Sequence, residues 1–211
     1  MKSFAISKQS PSALSGKFSR KSVVLAASGP SLIARDLEYC RGRAWVMVVN
    51  DAWRLASWAD VLYAADENWW AYYDGVPAFD GVRWTQNIQA ATRWSLQYIE
   101  SKPRLGLSLD LRYIHRGYNS GYQALNLAVL FGAKKIILLG YDMQSDGARS
   151  HFFGSHPQIL QQLSTYSAFV AAFKTTIGDL QKAGCTVINC SRQTALDCFP
   201  HCDLHDALMG S

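Results

Sequence analysis

Ser28-Gly29-Pro30-Ser31 follows the apolar run SVVLAA and leads into the helical pattern SLIARDL. Those residue types suit anion binding. Glycine lets the chain turn tightly, and proline fits a first helical position, where a missing N–H costs nothing. The free amides behind it then attract negative charge. Three other segments combine small and polar groups in the same way. Asn50-Asp51 ends the run WVMVV, Asn119-Ser120-Gly121 opens the apolar stretch GYQALNLAVLF, and Gly140-Tyr141-Asp142 follows KKIILL. Two helix N-termini aimed into one crevice would hold a diphosphate or a nucleoside monophosphate. Asn50 would hydrogen-bond a base or sugar, and Asp142 would orient a ribose hydroxyl or a catalytic group. The expected nucleotide-contacting set is therefore Gly29, Pro30, Ser31, Asn50, Asp51, Asn119, Ser120 and Gly121. Each member alone also fits a plain turn or helix cap. Neither the G-x-G-x-x-G fingerprint nor the Walker A lysine motif is present.

The loop DGARSHFFGSHP carries His151 and His156. A loop after a strand can close over substrate, and imidazole is suited to taking a proton from an acceptor hydroxyl near neutral pH. His156, His151 and Asp142 are the candidate catalytic residues. A metal set of both histidines with Asp142 or Asp146 fits no strong spacing pattern. The cysteines, Cys40, Cys185, Cys190, Cys198 and Cys202, read as buried or idle thiols of a reducing cytosol. Cys198, His201, Cys202 and His205 lack the paired short spacings of structural zinc. No metal ligands are assigned.

Such groups need a scaffold. Apolar runs of strand length alternate with helical patterns, which implies an α/β fold: a Rossmann-like, mainly parallel sheet with helices on both faces, in a single domain. Ligands of such sheets bind beyond the carboxyl ends of strands, near the point where strand order reverses. The expected elements are a helix over about 31–39, a long amphipathic helix over about 159–183, and strands at 22–27, 45–50, 61–66, 134–140 and 185–190. Residues 1–20, with Lys2, Lys8, Lys17 and Arg20, read as a flexible basic arm, and 21–211 as the nucleotide-binding domain. Residues 67–118, rich in Trp and Tyr, read as an aromatic insert.

Composition narrows the class. With 49% apolar and 18% charged residues the chain is globular. No apolar run approaches the roughly 18 residues that span a bilayer, and no secretory leader is apparent. A net charge of +5 favours anionic partners such as nucleotides, nucleic acid or an anionic glycan.

The opening VVLAASGPSL resembles the G-x-G-P-S-L-type start of the motility-associated-factor glycosyltransferase-like superfamily. Its relatives include bacterial CMP-sialic-acid-dependent sialyltransferases and an archaeal 6-hydroxymethylpterin pyrophosphokinase. NSGYQALNLAVLFGAKKIILLGYDM is similar to that superfamily's S-G-x-x-A-x-x-L-A-x-x-L-G-x-x-x-I-x-L-x-G-x-D block. HFFGSHP and INCSRQTALDCFP look like small phage-encoded proteins often called norphogenetic. The resemblance implies a nucleotide pocket lined by Gly29, Ser31 and Asn50, with Ser120 and Gly121 on the sugar or phosphate. It also implies a catalytic histidine in the segment after the G-x-D strand, where His151 and His156 both stand.

The expected function is a nucleotide-sugar-dependent glycosyltransferase of the cytoplasm, of the host cell if phage-encoded, with a glycan or a hydroxylated DNA base as acceptor. The alternatives are ATP-dependent pyrophosphoryl or phosphoryl transfer, needing a divalent metal at Asp66 or Asp142, and a non-catalytic nucleotide-binding accessory protein. The sequence leaves the nucleotide, the acceptor and any homo-oligomer open.

Overall fold

Seven strands form one sheet, and the central ones are apolar runs buried on both sides. The structure, a computed structural model, describes residues 22–147, 149–155, 157–160 and 165–210. The expected basic arm and His156 lie outside the described residues. In chain order the elements of the first half are β1 (Val23–Ala26), α1 (Ala34–Cys40), β2 (Trp45–Val49), β3 (Val61–Tyr63), α2 (Glu67–Tyr72), β4 (Val82–Thr85), α3 (Ile88–Trp94) and β5 (Gln97–Tyr98). Then come β6 (Glu100–Lys102), β7 (Tyr113–His115), α4 (Ser120–Leu130), β8 (Lys135–Leu139), α5 (Tyr166–Lys174), α6 (Ile177–Ala183), β9 (Thr186–Asn189) and α7 (Leu204–Met209).

The main sheet has strand order β5-β4-β3-β2-β1-β8-β9, and β6 with β7 makes a separate two-stranded sheet. Every pairing is parallel. This is the Rossmann-like α/β arrangement expected, with helices on both faces. Alternate strand residues serve two cores. Val23, Leu25 and Met47 pack with α4, α5 and α6, whereas Val24, Ala26 and Val48 pack with α1, α2, α3 and α7. All residues of α4 are buried. The chain runs outward from β1 to β5 and returns to β8, so strand order reverses between β1 and β8.

Three expectations need correction. Pro30 and Ser31 lie in a turn closed by Leu32 N–H donating to Gly29 O at 3.1 Å, and α1 begins only at Ala34 after the extended Ile33. The aromatic stretch 67–118 is no insert: it supplies β4 and β5, which continue the sheet, and Trp70 and Trp84 are fully buried. The long helix at 159–183 is two helices. Thr175 and Thr176 hydroxyls donate to the carbonyls of Ala172 and Phe173, both at 2.7 Å, and this side-chain competition marks the break between α5 and α6.

Candidate functional site

The anion cradle anticipated at 29–31 is already occupied by the chain itself. Asp142, 2% exposed, accepts the Ser31 N–H at 2.7 Å and the Ser31 hydroxyl at 2.6 Å. Gly29 N–H donates to Gly140 O at 2.9 Å, which carries the β1–β8 pairing past the strand ends. A Cβ on Gly29 would lie 2.5 Å from Gly140 O and 2.6 Å from Asp142 Cγ. Glycine is therefore required for the approach of these two loops. Burial raises the Asp142 carboxyl above the ordinary carboxylate range, against the opposing pull of the Ser31 hydrogen bonds. The structure thus places Gly29, Pro30, Ser31 and Asp142 in a sealed junction at the reversal point.

The open site lies one step along the sheet. A cleft of about 690 Å³ sits beyond the carboxyl ends of β2, β3 and β4, within the roughly 300–1,000 Å³ usual for small-molecule sites. Asn50, Asp66 and Gln86 come from those strand ends, and Asn119 and Ser120 come from the start of α4. Arg116, Gln123 and His151 add to its polar lining, and Glu67 and Asn68 stand beside Asp66. Helix α4 presents its N-terminus here. Asn119 Oδ1 accepts Tyr122 N–H at 2.9 Å, which caps one of the free first-turn donors, and Asn119 O accepts the first intrahelical bond, from Gln123 N–H at 3.3 Å. The Ser120 and Gly121 amides remain as donors at the positive end of the helix dipole.

Two buried amide atoms in this wall have no hydrogen-bond partner: Asn50 Oδ1 and Asn119 Nδ2. Buried polar atoms are nearly always paired, so an unpaired acceptor and an unpaired donor on two residues that line one cleft single out that wall. Asn50 also holds a left-handed backbone with φ of 48°. Side chains rarely adopt that conformation, and such residues concentrate at functional sites.

A chain of hydrogen bonds fixes the cleft floor. Tyr63 hydroxyl donates to Gln123 Oε1 at 2.6 Å, and Gln123 Nε2 donates to Arg116 O at 2.8 Å. The Arg116 guanidinium donates to Ser101 Oγ at 3.2 and 3.3 Å, and Ser101 donates in turn to Gln86. His151 is delivered by the loop after β8, which crosses the end of β1. Phe152 N–H donates to Ser28 O at 3.1 Å, and the His151 ring stacks on Phe153 with centroids 5.0 Å apart. Asp66 stands at the end of β3, where partial burial raises its carboxyl above the ordinary range while the lip stays open to solvent.

Of the expected contacts, Asn50, Asn119, Ser120 and His151 come together in the cleft. Asp51 does not. It is 1% exposed and accepts from Trp69 Nε1 at 2.9 Å and from the Tyr73 hydroxyl, which ties α2 to the turn after β2. The side of Gly121 that a Cβ would occupy meets Tyr141, and its carbonyl accepts the Tyr141 hydroxyl at 3.1 Å. The sequence reading missed Arg116, Gln86 and Gln123. Gln123 was detectable, four residues after Asn119 on one helix face. Arg116 and Gln86 carry no such signal, because their chain segments meet only in three dimensions. Among the described residues no cluster of three His, Cys, Asp or Glu side chains is disposed to hold a metal ion. Among them, too, no helix is long and apolar enough to cross a membrane.

No protein-family model matches the chain, and no curated protein matches it.

Proposed function

We propose that the chain is a nucleotide-sugar-dependent glycosyltransferase whose donor lies in the cleft between the β2–β4 strand ends and α4. The observation that carries this reading is the convergence of the α4 N-terminus and Arg116 with the unpartnered Asn50 Oδ1 and Asn119 Nδ2. The first pair suits phosphate, and the second suits the sugar or base.

In this mechanism the Ser120 amide at the α4 N-terminus and Arg116 stabilise the charge that develops on the departing nucleotide phosphate. The bond from the sugar's anomeric carbon to the phosphate oxygen breaks, and that oxygen keeps the electron pair. The acceptor hydroxyl oxygen bonds to the anomeric carbon and gives its proton to the His151 imidazole. His156, the other histidine of the same loop, is the rival base. The acceptor is a glycan or a hydroxylated DNA base. Asp142, committed to Ser31, is left a positioning role for the loop that carries His151.

Asp66 beside Glu67 at the cleft lip favours a second reading, phosphoryl or pyrophosphoryl transfer from ATP. A divalent ion there would need the nucleotide's own phosphates to complete its coordination. Thermal-shift titration with CMP, UDP, GDP and ATP, with and without Mg²⁺, separates the readings. A shift with a metal-free pyrimidine or guanosine nucleotide supports the transferase, and one that requires both ATP and Mg²⁺ supports the second reading. No shift with any nucleotide removes both and leaves a non-catalytic scaffold. His151→Ala should abolish turnover of the identified donor while keeping the nucleotide shift; wild-type turnover in that variant transfers the role to His156.

A further inference from the structure

A second cavity, of about 830 Å³, lies between α1, the end of β9 and the start of α7. It shares no lining residue with the cleft, and two of its walls are thiols, Cys190 and Cys202. Asn189 N–H donates to Pro200 O at 2.8 Å, and Cys202 N–H donates to Asn189 O at 3.3 Å. Residues 189 and 201 are therefore paired as in a parallel ladder. The next position in that register sets Cys190 beside Cys202. Neighbouring strands lie roughly 4.8 Å apart, inside the roughly 4.4–6.8 Å Cα separation that a disulfide spans. Both side chains pack into the same apolar core, so they leave their backbones on the same side.

The two thiols have unequal surroundings. Cys190 is 7% exposed, and burial, reinforced by Cys202 and Asp203, pushes its thiol up to about 12. Cys202 is only half-buried and opens to the cavity. Cys185 and Cys198 belong to the opposite face of the sheet. Cys40 shares the apolar core of Cys190 but is fully buried, and its S–H donates to Asp36 O at 3.1 Å.

We propose that Cys190 and Cys202 are an oxidant-sensitive dithiol that closes to a disulfide in response to a hydroperoxide entering this cavity. The Cys202 thiol gives up its proton, its sulfur attacks the terminal peroxide oxygen and the O–O bond breaks; the leaving alkoxide or hydroxide takes up that proton, so the products are Cys202 sulfenic acid and an alcohol or water. Cys190 sulfur then attacks Cys202 sulfur. The S–S bond forms, the S–O bond breaks, and the Cys190 proton leaves with the hydroxyl as water. Two electrons pass from the dithiol to the peroxide. The bond ties the end of β9 to the segment entering α7, next to the Arg192–Asp36 ion pair at 2.8 Å that fastens the same region to α1.

The test is peroxide treatment of the folded full chain, alkylation, and non-reducing peptide mass spectrometry. The expected result is a Cys190–Cys202 linked peptide, two fewer titratable thiols after unfolding, and reversal by dithiothreitol. Cys198→Ser should keep the link and Cys202→Ser should lose it. Cys190→Ser should trap Cys202 as a sulfenic acid that reacts with dimedone. A link between any other pair, or Cys202 oxidised to sulfinic acid with Cys190 still alkylatable, overturns the proposal. So does a Cys190→Ser protein that folds, as judged by its circular dichroism, yet takes up no dimedone.

Discussion

The carboxyl ends of β1 and β8 and those of β2, β3 and β4 offer the same raw material and make opposite use of it. At β1 and β8 the free amides of a turn meet a carboxylate of the chain, Asp142, and two glycine-bearing loops close around it. At β2–β4 the amides of α4, the Arg116 guanidinium and two asparagine side chains surround open space. The first junction satisfies its polar groups internally. The second leaves them for something else to satisfy, which is why the neighbouring cleft, and not the reversal point, is the candidate site.

The largest expected effect falls on the sealed junction. Gly29→Ala puts a methyl 2.5 Å from the Gly140 carbonyl, and a backbone atom cannot turn aside as a side chain can. The variant should lose roughly 3 kcal/mol of stability in chemical unfolding, at the upper end of overpacking costs. A Gly29→Ala protein of unchanged stability that no longer responds to nucleotide would move the site back to β1 and β8.

Arg116→Ala sharpens the other half of the contrast. It removes a charged hydrogen-bond donor from the cleft, so nucleotide affinity measured by calorimetry should fall about tenfold or more, with unfolding stability changed by under about 1 kcal/mol. Equal affinity in variant and wild type would detach Arg116 from the phosphate.

Asn50→Gly separates strain from binding. Glycine accepts the φ of 48° without cost and removes the unpaired Oδ1, so stability should hold or rise by about 1 kcal/mol while nucleotide affinity drops. Loss of stability in the thermal melt would instead make Asn50 a structural residue.

The smallest effect is a slope. Burial gives Asp142 a folded-state pKa above its unfolded value. The native state then holds the proton more tightly than the unfolded chain. The stabilisation from this group is fully present below the unfolded pKa and is lost as pH rises through the folded pKa. Asp142→Asn should flatten that decline in denaturant midpoints collected across the acidic range. A variant curve parallel to wild type would mean that Asp142 is not the group that titrates.

Much of the fold was legible because its signals are local. Near-continuous apolar runs such as WVMVV and KIILL can only be strands buried on both faces, and Asn119 before a long apolar helix marks a cap that the structure shows, Oδ1 to Tyr122 N–H. The misread elements are those decided by competition. Trp69, Trp70 and Trp84 fall in a stretch read as an aromatic insert on the sheet, and they belong to the core of ordinary strand–helix repeats. The break at Thr175-Thr176 depends on two hydroxyls preferring carbonyls behind them.

The candidate site divides along the same line. The sequence by itself determined an α/β sheet with polar residues at its strand ends, because hydrophobic periodicity and cap chemistry act over a few residues. It also marked Asn50, Asn119, Ser120 and His151 as groups worth placing. Only the tertiary structure decided which strand end stays open. Ser31 and Asp142 are separated by 111 positions along the chain, and nothing local to either says that they satisfy each other. Likewise Arg116 reaches the cleft because Gln123 on α4 and Tyr63 on β3 hold its backbone there. Whether a polar group is spent or available is a property of its neighbours in space, and those neighbours are fixed by packing.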